Sequence, residues 1–522
     1  MAQAQPEQQI VVIGAGIGGL VSAALLGARG YAVTVVEKEA GPGGKVRQIG
    51  VDGRPVDAGP TVFTLRDVFE DIFTAAGSSL SDHVTLREPA VLARHAWDHT
   101  AQLDLHADPQ HSEAAIGDFA GAAAARGYRA FRAEAQCIHT ILDKSMMRAG
   151  KVSWPLPLMW RIGLLRFGDL AAIRPYESLW KVLGEHFADP RLRQLFGRYS
   201  TYCGSSPFAT PATLMLVAHV EALGVWLIDG GMSALADALV RLGYANGVTF
   251  RFGAPVETVL VERGRAAGVI LAGGERLAAA AVIVNADPAA LAAGCFGADA
   301  ARAAAPLPAG RRSLSALTWL AHAKTSGFPL ERHNVFFSPD YPAEFRAIAG
   351  GAPPADPSVY VCAQDRDTGL AVTGRERLQI IVNAPANGDS HAYTPKEIDR
   401  CGQAMTASLQ RCGLILEHPL VHELVHPQTF AQLFPATGGA LYGRASHGWA
   451  ASFLRQGTRT RIPGLFCAGG STHPGAGVPM AALSGQLAAA TTAQMLASMR
   501  RFHPVAMPGG MSMRSATTAA TG

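Results

Sequence analysis

The 522-residue sequence predicts an α/β fold, α+β overall, on three observations. An apolar strand at residues 10–13 leads through the glycine turn of VVIGAGIGGL into a helix-like run, and a second apolar strand ends at Glu37. Near the other end, RIPGLFCAGG and the helical MAALSGQLAAATTAQML repeat that order of strand, glycine turn and helix. Between them, residues 247–288 alternate like short antiparallel strands and end in a buried-type strand. The order of strand, glycine turn and helix is typical of Rossmann-like folds.

The first glycine turn has the spacing that a dinucleotide requires. Gly14 permits the tight turn, Gly16 lets a pyrophosphate approach the backbone, and Gly19 lets the helix pack closely on the strand. The helix N-terminus then faces the phosphates. Glu37 stands 23 residues after Gly14, where an acid accepts hydrogen bonds from ribose hydroxyls. Strand, glycines, helix, second strand and acid together predict dinucleotide binding.

The composition favours an apolar ligand or a membrane face and gives no case for nucleic-acid binding. The net charge is +4, and only 16% of the residues are charged, which is low for a soluble protein. The seven cysteines are scattered and form no C-x-x-C pair. This pattern argues against a disulfide framework, a zinc site or an iron–sulfur cluster, and it fits a reducing compartment.

Residues 10–28 form a run without charge that is long enough to span a bilayer. Its five glycines and the preceding Glu7 argue against a membrane span and against a signal peptide. No other exporting segment is visible. We therefore expect a cytoplasmic protein or one that attaches peripherally to the cytoplasmic side of a membrane.

Two interpretations stay open for residues 151–170, KVSWPLPLMWRIGLLRFGDL. Tryptophan, leucine and methionine with interspersed basic residues suit an amphipathic segment in a membrane interface. The same composition also suits a core helix that lines a substrate tunnel.

A histidine pattern at residues 418–426 matches the H-E-x-x-H spacing of zinc proteases. Pro419 and Pro427 bracket it, and LVHELVH alternates with period two, as a strand does. On a strand, His422 and His426 lie roughly 13 Å apart, which is too far for one metal ion. The sequence therefore predicts no metal site.

The closing stretch GGSTHPGAGVPMAALSG resembles the C-terminal signature of the bacterial carotenoid desaturases. These belong to the amine-oxidase and phytoene-desaturase branch of FAD enzymes, and the pattern EKEAGPGGKVRQ with GRPVDAGPTVFT fits the same branch. DPRLRQLFGRYSTYCGSSPFATPATL, HNVFFS and VCAQDRD look most like the 1-hydroxycarotenoid 3,4-desaturases, also called hydroxyneurosporene or methoxyneurosporene dehydrogenases. Ser471 departs from the usual glycine before Thr-His-Pro.

The resemblance implies an FAD-binding domain with an interleaved substrate-binding domain. The expected FAD-binding parts are residues 1–90, 225–300 and 450–497, the substrate domain comprises 91–224 and 301–449, and a disordered tail covers 498–522. The residues expected at the cofactor are Gly14, Gly16, Ile17, Gly18, Gly19, Glu37, Lys38, Gly44, Lys45, Gly59, Pro60, Thr61, Val256, Gly469, Gly470, Gly477 and Val478.

The implied reaction introduces the C3=C4 double bond of a 1-hydroxylated acyclic carotenoid, such as 1-hydroxyneurosporene or 1-hydroxylycopene, by hydride transfer to the flavin and proton loss. Oxygen or a membrane quinone is the expected electron acceptor, and the membrane is the expected source of the substrate. The alternatives are a phytoene-type desaturase, a carotene isomerase, and an escort protein of the same fold that binds lipid or a prenylated protein without flavin chemistry.

Polar residues in the apolar middle of the chain are the candidates for contact with the substrate. The substrate candidates are Arg198, Tyr199, Thr201 and Tyr202, and the catalytic candidates are His473, Tyr202, Glu221 and His219. For each of these side chains, the alternative is a structural role in which it stabilises the packing of helices. For His473, set among the glycines of the closing turn, a structural or flavin-edge role is favoured over proton transfer.

Overall fold

The computed structural model describes residues 9–151, 155–163, 167–368, 372–417 and 421–502. The disordered tail is predicted to begin at residue 498, but residues 498–502 are helical; the rest of that tail, from position 503 onward, lies outside the described residues, and so does His418 of the histidine pattern. Within the described ranges the chain alternates strands and helices, as the sequence predicts.

The strands are β1 (Gln9–Ile13), β2 (Ala32–Val36), β3 (Gln48–Val51), β4 (Arg54–Asp57), β5 (Phe63–Thr64), β6 (Leu86–Arg87), β7 (Val91–Ala96), β8 (Gln102–His106), β9 (Val225–Ile228), β10 (Thr249–Arg251), β11 (Val256–Glu262), β12 (Arg265–Leu271), β13 (Arg276–Ala278), β14 (Ala281–Val284), β15 (Ser315–Ala323), β16 (Thr325–Ser326), β17 (His333–Phe336), β18 (Val359–Ala363), β19 (Glu376–Ala384), β20 (Ile415–Leu416), β21 (Val421–Val425) and β22 (Leu465–Cys467).

The α-helices are α1 (Ile17–Gly27), α2 (Arg66–Ala75), α3 (Pro109–Ala120), α4 (Ala122–Leu142), α5 (Pro155–Ile162), α6 (Phe167–Ala172), α7 (Leu179–His186), α8 (Pro190–Gly197), α9 (Leu216–Ala222), α10 (Ser233–Ala245), α11 (Pro288–Ala292), α12 (Ala298–Ala301), α13 (Tyr341–Ala349), α14 (Pro395–Arg411), α15 (Pro427–Leu433), α16 (Ala451–Leu454) and α17 (Val478–Phe502). A π-helical turn (Asp143–Met147) continues α4, and a 3₁₀ segment (Arg198–Cys203) follows α8.

A five-stranded parallel sheet joins the two ends of the chain. Its order is β10-β2-β1-β14-β22, with β1 paired to β2 on one side and to β14 on the other. The strands are nearly continuous apolar runs, as expected for a parallel sheet that is covered on both faces. The late strand–glycine–helix unit therefore lies beside the first in space.

Helix α1 explains the charge-free run near the N-terminus. Every residue of α1 is buried, and the helix packs between α10 and α17. The contact with α17 is close because a Cβ added at Gly485 would lie 2.5 Å from the carbonyl oxygen of Gly18. The run is thus a buried strand, a glycine turn and a core helix, and within the described ranges no helix combines the length and hydropathy needed to cross a bilayer.

Among the sheets that the described middle of the chain builds, two matter for the site. Strands β11, β12 and β13 form an antiparallel sheet directly before β14, as the alternation predicts. A seven-stranded sheet has the order β21-β15-β19-β18-β17-β7-β8. It combines residues 91–106 with residues 315–425, both of which the sequence assigns to the substrate domain.

The zinc-protease pattern forms strand β21, which pairs antiparallel with β15 at the edge of the seven-stranded sheet. His422 lies within this strand, whereas His426 stands just before α15. In the described part of the chain, no group of three histidine, cysteine, aspartate or glutamate side chains could hold a metal ion. The prediction of a strand is confirmed.

The close contact between α1 and α17 predicts opposite effects of alanine at two helical glycines. In Gly485→Ala the new methyl group meets backbone, so we expect the free energy of unfolding to fall by about 1–3 kcal/mol. In Gly402→Ala, on α14, no atom lies within 4 Å of the new methyl group, so we expect a gain of about 0.5–1 kcal/mol. Thermal unfolding of the two variants checks this pair, and a rise in melting temperature for both would contradict the packing argument.

Candidate active site

A cavity of about 1240 Å³ opens at the C-terminal edge of the parallel sheet. Four of its lining residues directly follow, or stand just beyond, four strands: Gly14 after β1, Glu37 after β2, Asn285 after β14 and Gly469 beyond β22. The backbone N–H groups of Gly14 and Asn285 donate to neighbouring strands at 2.8 Å, which holds this edge together. In open parallel sheets, ligands bind at this edge.

The two glycine turns meet around the side chain of Asn285. A Cβ at Gly18 would lie 2.7 Å from the backbone nitrogen of Gly469 and 2.8 Å from Oδ1 of Asn285. A Cβ at Gly16 would lie 2.6 Å from Nδ2 of Asn285. Only glycine, which has no side chain, therefore fits at these positions. The glycines also leave backbone exposed along the cavity wall.

Glu37 is held in place by the backbone on both oxygens. The N–H of Ala15 donates to its Oε2 at 2.6 Å, and the N–H of Glu39 donates to its Oε1 at 3.0 Å. Each carboxylate oxygen has a second lone pair. Glu37 is 6% exposed and lines the cavity, so these lone pairs can accept hydroxyl protons from a ligand.

Lys45 brings a buried amine to the same cavity. Its Nζ donates to the carbonyl of Leu441 at 2.5 Å. Burial lowers the pKa of Lys45, and the nearby charge of Asp287 opposes that shift. An anionic ligand in this cavity would favour the charged amine in the same way as Asp287 does.

The residues predicted to contact the cofactor all line this cavity except Gly19. A Cβ at Gly19 would lie 2.1 Å from the carbonyl oxygen of Gly14, so this glycine serves the packing of helix on strand. The predicted residues that line the cavity are Gly14, Gly16, Ile17, Gly18, Glu37, Lys38, Gly44, Lys45, Gly59, Pro60, Thr61, Val256, Gly469, Gly470, Gly477 and Val478.

The seven-stranded sheet supplies a second wall of the cavity. Tyr360 on β18 pairs with Ile381 on β19 and with Val335 on β17, and all three line the cavity. The Tyr360 hydroxyl lies 2.6 Å from Oγ1 of Thr61 and 2.8 Å from Nδ1 of His333. This hydrogen-bond chain connects the sheet to the 59–61 segment.

A polar group interrupts the apolar lining near Tyr360. The Arg198 guanidinium lies 5.3 Å from the centre of the Tyr360 ring and 5.0 Å from that of Tyr202, and it donates to the Tyr202 hydroxyl at 2.9 Å. The Tyr199 hydroxyl donates to Oε1 of Glu221 at 2.5 Å. Arg198, Tyr202 and Glu221 line the cavity, whereas Tyr199 stands behind them.

The electrostatics of this polar group follow from its burial. Desolvation raises the pKa of Glu221, and the hydrogen bond from Tyr199 and the charge of Arg198 act against the rise. Desolvation also raises the pKa of Tyr199 well above its ordinary value, so its hydroxyl stays protonated and donates. Glu221 therefore keeps an acceptor oxygen in a largely apolar cavity.

Three other sequence candidates are engaged elsewhere. His473 is 2% exposed and does not line the cavity; its Nε2–H donates to the carbonyl of Ala149 at 2.8 Å, and burial lowers its pKa. His219 also lies off the cavity, with its ring 4.9 Å from that of His139. Thr201 lines the cavity, but its hydroxyl donates to the Arg198 carbonyl at 2.7 Å. These positions suit structural roles.

The sequence reasoning missed Asn285 and Tyr360. Asn285 carries a usable signal, because it directly follows the apolar strand AVIV, whose parallel pairing with β1 places its end at the ligand edge. Tyr360 carries no sequence signal, because it is a single tyrosine in an ordinary strand. Its contacts depend on the register of β18 with β17 and β19.

The cavity reaches the surface beside α5 and α16. Trp449 lines the cavity and is 43% exposed, and its ring lies 5.9 Å from that of Tyr176. On α5, Leu158 is buried and lines the cavity, whereas Leu156 and Trp160 are exposed. Helix α5 thus has one side chain at the cavity and others exposed to solvent, and residues 152–154 and 164–166 of the segment with two interpretations lie outside the described residues. We call Leu156, Trp160, Tyr176, Trp449 and Leu454 the mouth surface.

Comparisons with known proteins agree with this architecture. The family model described as flavin containing amine oxidoreductase matches residues 17–492. A hydroxyneurosporene desaturase of Rubrivivax gelatinosus is 51% identical over 522 residues, covering 99% of each chain. Another, of Cereibacter sphaeroides, is 44% identical over 495 residues, covering 94% of this chain and 99% of that protein. Among solved structures, putrescine oxidase bound to putrescine aligns over 94% of this chain and 99% of that one, with a TM-score of 0.58 and 16% identity.

The meeting of the two glycine turns predicts sensitivity of flavin binding to a side chain at Gly18. In Gly18→Ala the methyl group would meet the backbone of Gly469, and overpacking of this kind costs about 1–3 kcal/mol. We expect the purified variant to retain several-fold less flavin per chain, measured by its visible absorption. Gly50→Ala, on exposed strand β3 with no atom within 4 Å, should keep the wild-type flavin content. Full flavin content in Gly18→Ala would contradict the close meeting of the turns.

Proposed function

The chain belongs to the family of flavin-containing amine oxidoreductases, in the branch of the bacterial carotenoid desaturases, and from this premise we propose that it desaturates the C3–C4 bond of a 1-hydroxylated acyclic carotenoid. The observation that carries the proposal is the polar group of Arg198, Tyr202 and Glu221 in the wall of a mostly apolar cavity. A long polyene suits the apolar lining, and a hydroxyl at its end suits the polar group.

FAD is the cofactor of this enzyme, and the residues at the sheet edge fit it. The glycine turns leave backbone exposed where a pyrophosphate needs close approach, and Glu37 offers carboxylate lone pairs where a ribose needs acceptors. Lys45 adds a cation for the phosphates. When bound, FAD supplies an acceptor for the hydride that leaves the substrate carbon.

The protein's own contribution is alignment and the exclusion of water. Apolar side chains from the π-helical turn and from α9, among them Met146, Val217 and Val220, line the cavity opposite the sheet. Such a lining keeps water from a polyene that is losing hydride and proton. The polar group sets the orientation of the substrate in the cavity, because only one end of the substrate carries a hydroxyl that can bind there.

A two-substrate assay tests this function. Purified protein loaded with FAD is incubated separately with 1-hydroxyneurosporene and with phytoene, and added double bonds are scored by the red shift of the polyene spectrum. We expect the shift with the hydroxylated substrate. A shift with phytoene alone would favour a phytoene-type desaturase, and a geometric isomer without added unsaturation would favour a carotene isomerase. A protein that takes up no flavin would favour the escort alternative.

The mouth surface suggests where the substrate enters. A carotenoid is insoluble in water and must come from a bilayer, and large exposed apolar side chains beside a cavity opening are suited to a membrane interface. We propose that the mouth surface lies on a lipid bilayer. A quinone in the same bilayer, or oxygen, would serve as the electron acceptor.

Membrane attachment should depend on Trp160, which is 70% exposed. Placing a charge there removes a large apolar side chain from the interface, so Trp160→Asp should weaken partitioning onto phosphatidylcholine–phosphatidylglycerol vesicles by about 10- to 100-fold. Cosedimentation with the vesicles measures this. Ile415→Asp is the matched control, since Ile415 is 48% exposed on β20 and lines no part of the cavity. Equal loss in both variants, or loss in neither, would argue against the mouth surface as the attachment site.

A further inference from the structure

The polar group in the cavity wall lies close to the segment that holds the cofactor. Arg198 stacks against Tyr360, and the Tyr360 hydroxyl lies 2.6 Å from Oγ1 of Thr61, next to Gly59 and Pro60. A continuous set of side chains therefore leads from Thr61 to Arg198. A ligand group bound at Arg198 is held close to the 59–61 segment.

This position matches a demand of the reaction itself. The hydroxyl oxygen of a 1-hydroxycarotenoid is separated from C3 by only three bonds. An enzyme that oxidises C3–C4 must therefore hold that hydroxyl next to the cofactor. A polar group elsewhere in the cavity could anchor the substrate but could not place these two carbons.

The hydrogen-bonding capacity of the group also matches a hydroxyl. Among the described residues, the Arg198 guanidinium donates one hydrogen bond, to Tyr202, although it carries five N–H donors. Oε1 of Glu221 accepts from Tyr199, and the carboxylate has further lone pairs. No direct ion pair joins Arg198 and Glu221 in the described part of the chain, and the Tyr202 hydroxyl interacts with both of them. A substrate hydroxyl beside Tyr202 therefore meets a donor and an acceptor.

We propose that Arg198 and Glu221 form the subsite that holds the tertiary hydroxyl of the substrate. Glu221 accepts the hydroxyl proton in a hydrogen bond, and Arg198 donates to the hydroxyl oxygen. Tyr199 and Tyr202 are positioning residues that hold the carboxylate and the guanidinium. This inference rests on the proposed function, because it names the residues that select the hydroxylated polyene.

The test compares two polyenes that differ only at C1, 1-hydroxyneurosporene and neurosporene, on FAD-loaded protein. Wild type should favour the hydroxylated polyene in kcat/KM and in dissociation constant, the latter measured by quenching of tryptophan fluorescence. Glu221→Gln cannot accept the hydroxyl proton as strongly, and Arg198→Lys loses the guanidinium fork. Each should reduce the preference about 10- to 100-fold, the range for a hydrogen bond to a charged group.

Most of the loss should appear in KM and in the dissociation constant of the hydroxylated polyene. Glu423→Gln, an exposed carboxylate on β21, is the matched control and should keep the wild-type preference. If Glu221→Gln does not load with flavin, Tyr199→Phe takes its place. This variant should also reduce the preference for the hydroxylated polyene, but by less. An unchanged preference in the variants would overturn the proposal, and so would an equal loss on both polyenes, which indicates a general catalytic or structural role.

Failure of the proposed function gives a different result. In that case wild-type protein adds no double bond to 1-hydroxyneurosporene, whatever the variants do. The binding measurement needs no turnover, so it still decides whether Arg198 and Glu221 select the hydroxylated ligand.

Discussion

The close meeting of two glycine turns at the edge of the parallel sheet is the constraint on which the rest of the molecule depends. Gly18 and Gly469 approach so nearly that a single methyl group at Gly18 would fall 2.7 Å from the opposite backbone. Asn285, from the strand between them, fills the remaining space and contacts both turns. Because the two turns belong to the first and last helical units, their contact joins α1 to α17 beside the cavity.

The sequence could predict this half of the protein because local chemistry determines it. The order of strand, glycines and helix is readable at residues 10–27 and again at 465–497, and Glu37 lies where the parallel strands require it. The HELVH segment was likewise readable as a strand from its alternation. In the cofactor half, the glycine pattern does not include Asn285. Its position directly after an apolar strand was nevertheless a signal that it lies at the ligand edge of the sheet.

The substrate half was less predictable because its geometry depends on distant pairings. Tyr360 reaches Arg198 only through the register of β17, β18 and β19, which no local pattern reveals. The polar residues near 198–221 were identifiable as unusual in apolar surroundings, yet only the structure shows that Tyr199 and His219 lie off the cavity and that the Thr201 hydroxyl donates to the Arg198 carbonyl. A buried charge needs compensation, and here the aromatic faces of Tyr202 and Tyr360 and the nearby carboxylate of Glu221 provide it for Arg198.

The order of the parallel sheet also has a consequence for biosynthesis. The central strand β1 is made first, but its neighbour β14 follows some 270 residues later and β22 completes the sheet after a further 180 or so. At a synthesis rate of roughly 5–20 residues per second, β1 and α1 wait tens of seconds for their partners. During that time the most apolar helix of the chain has no complete surface to pack against. Such long-range pairing slows folding and exposes aggregation-prone segments. The two glycine turns can meet only after translation has passed the closing turn.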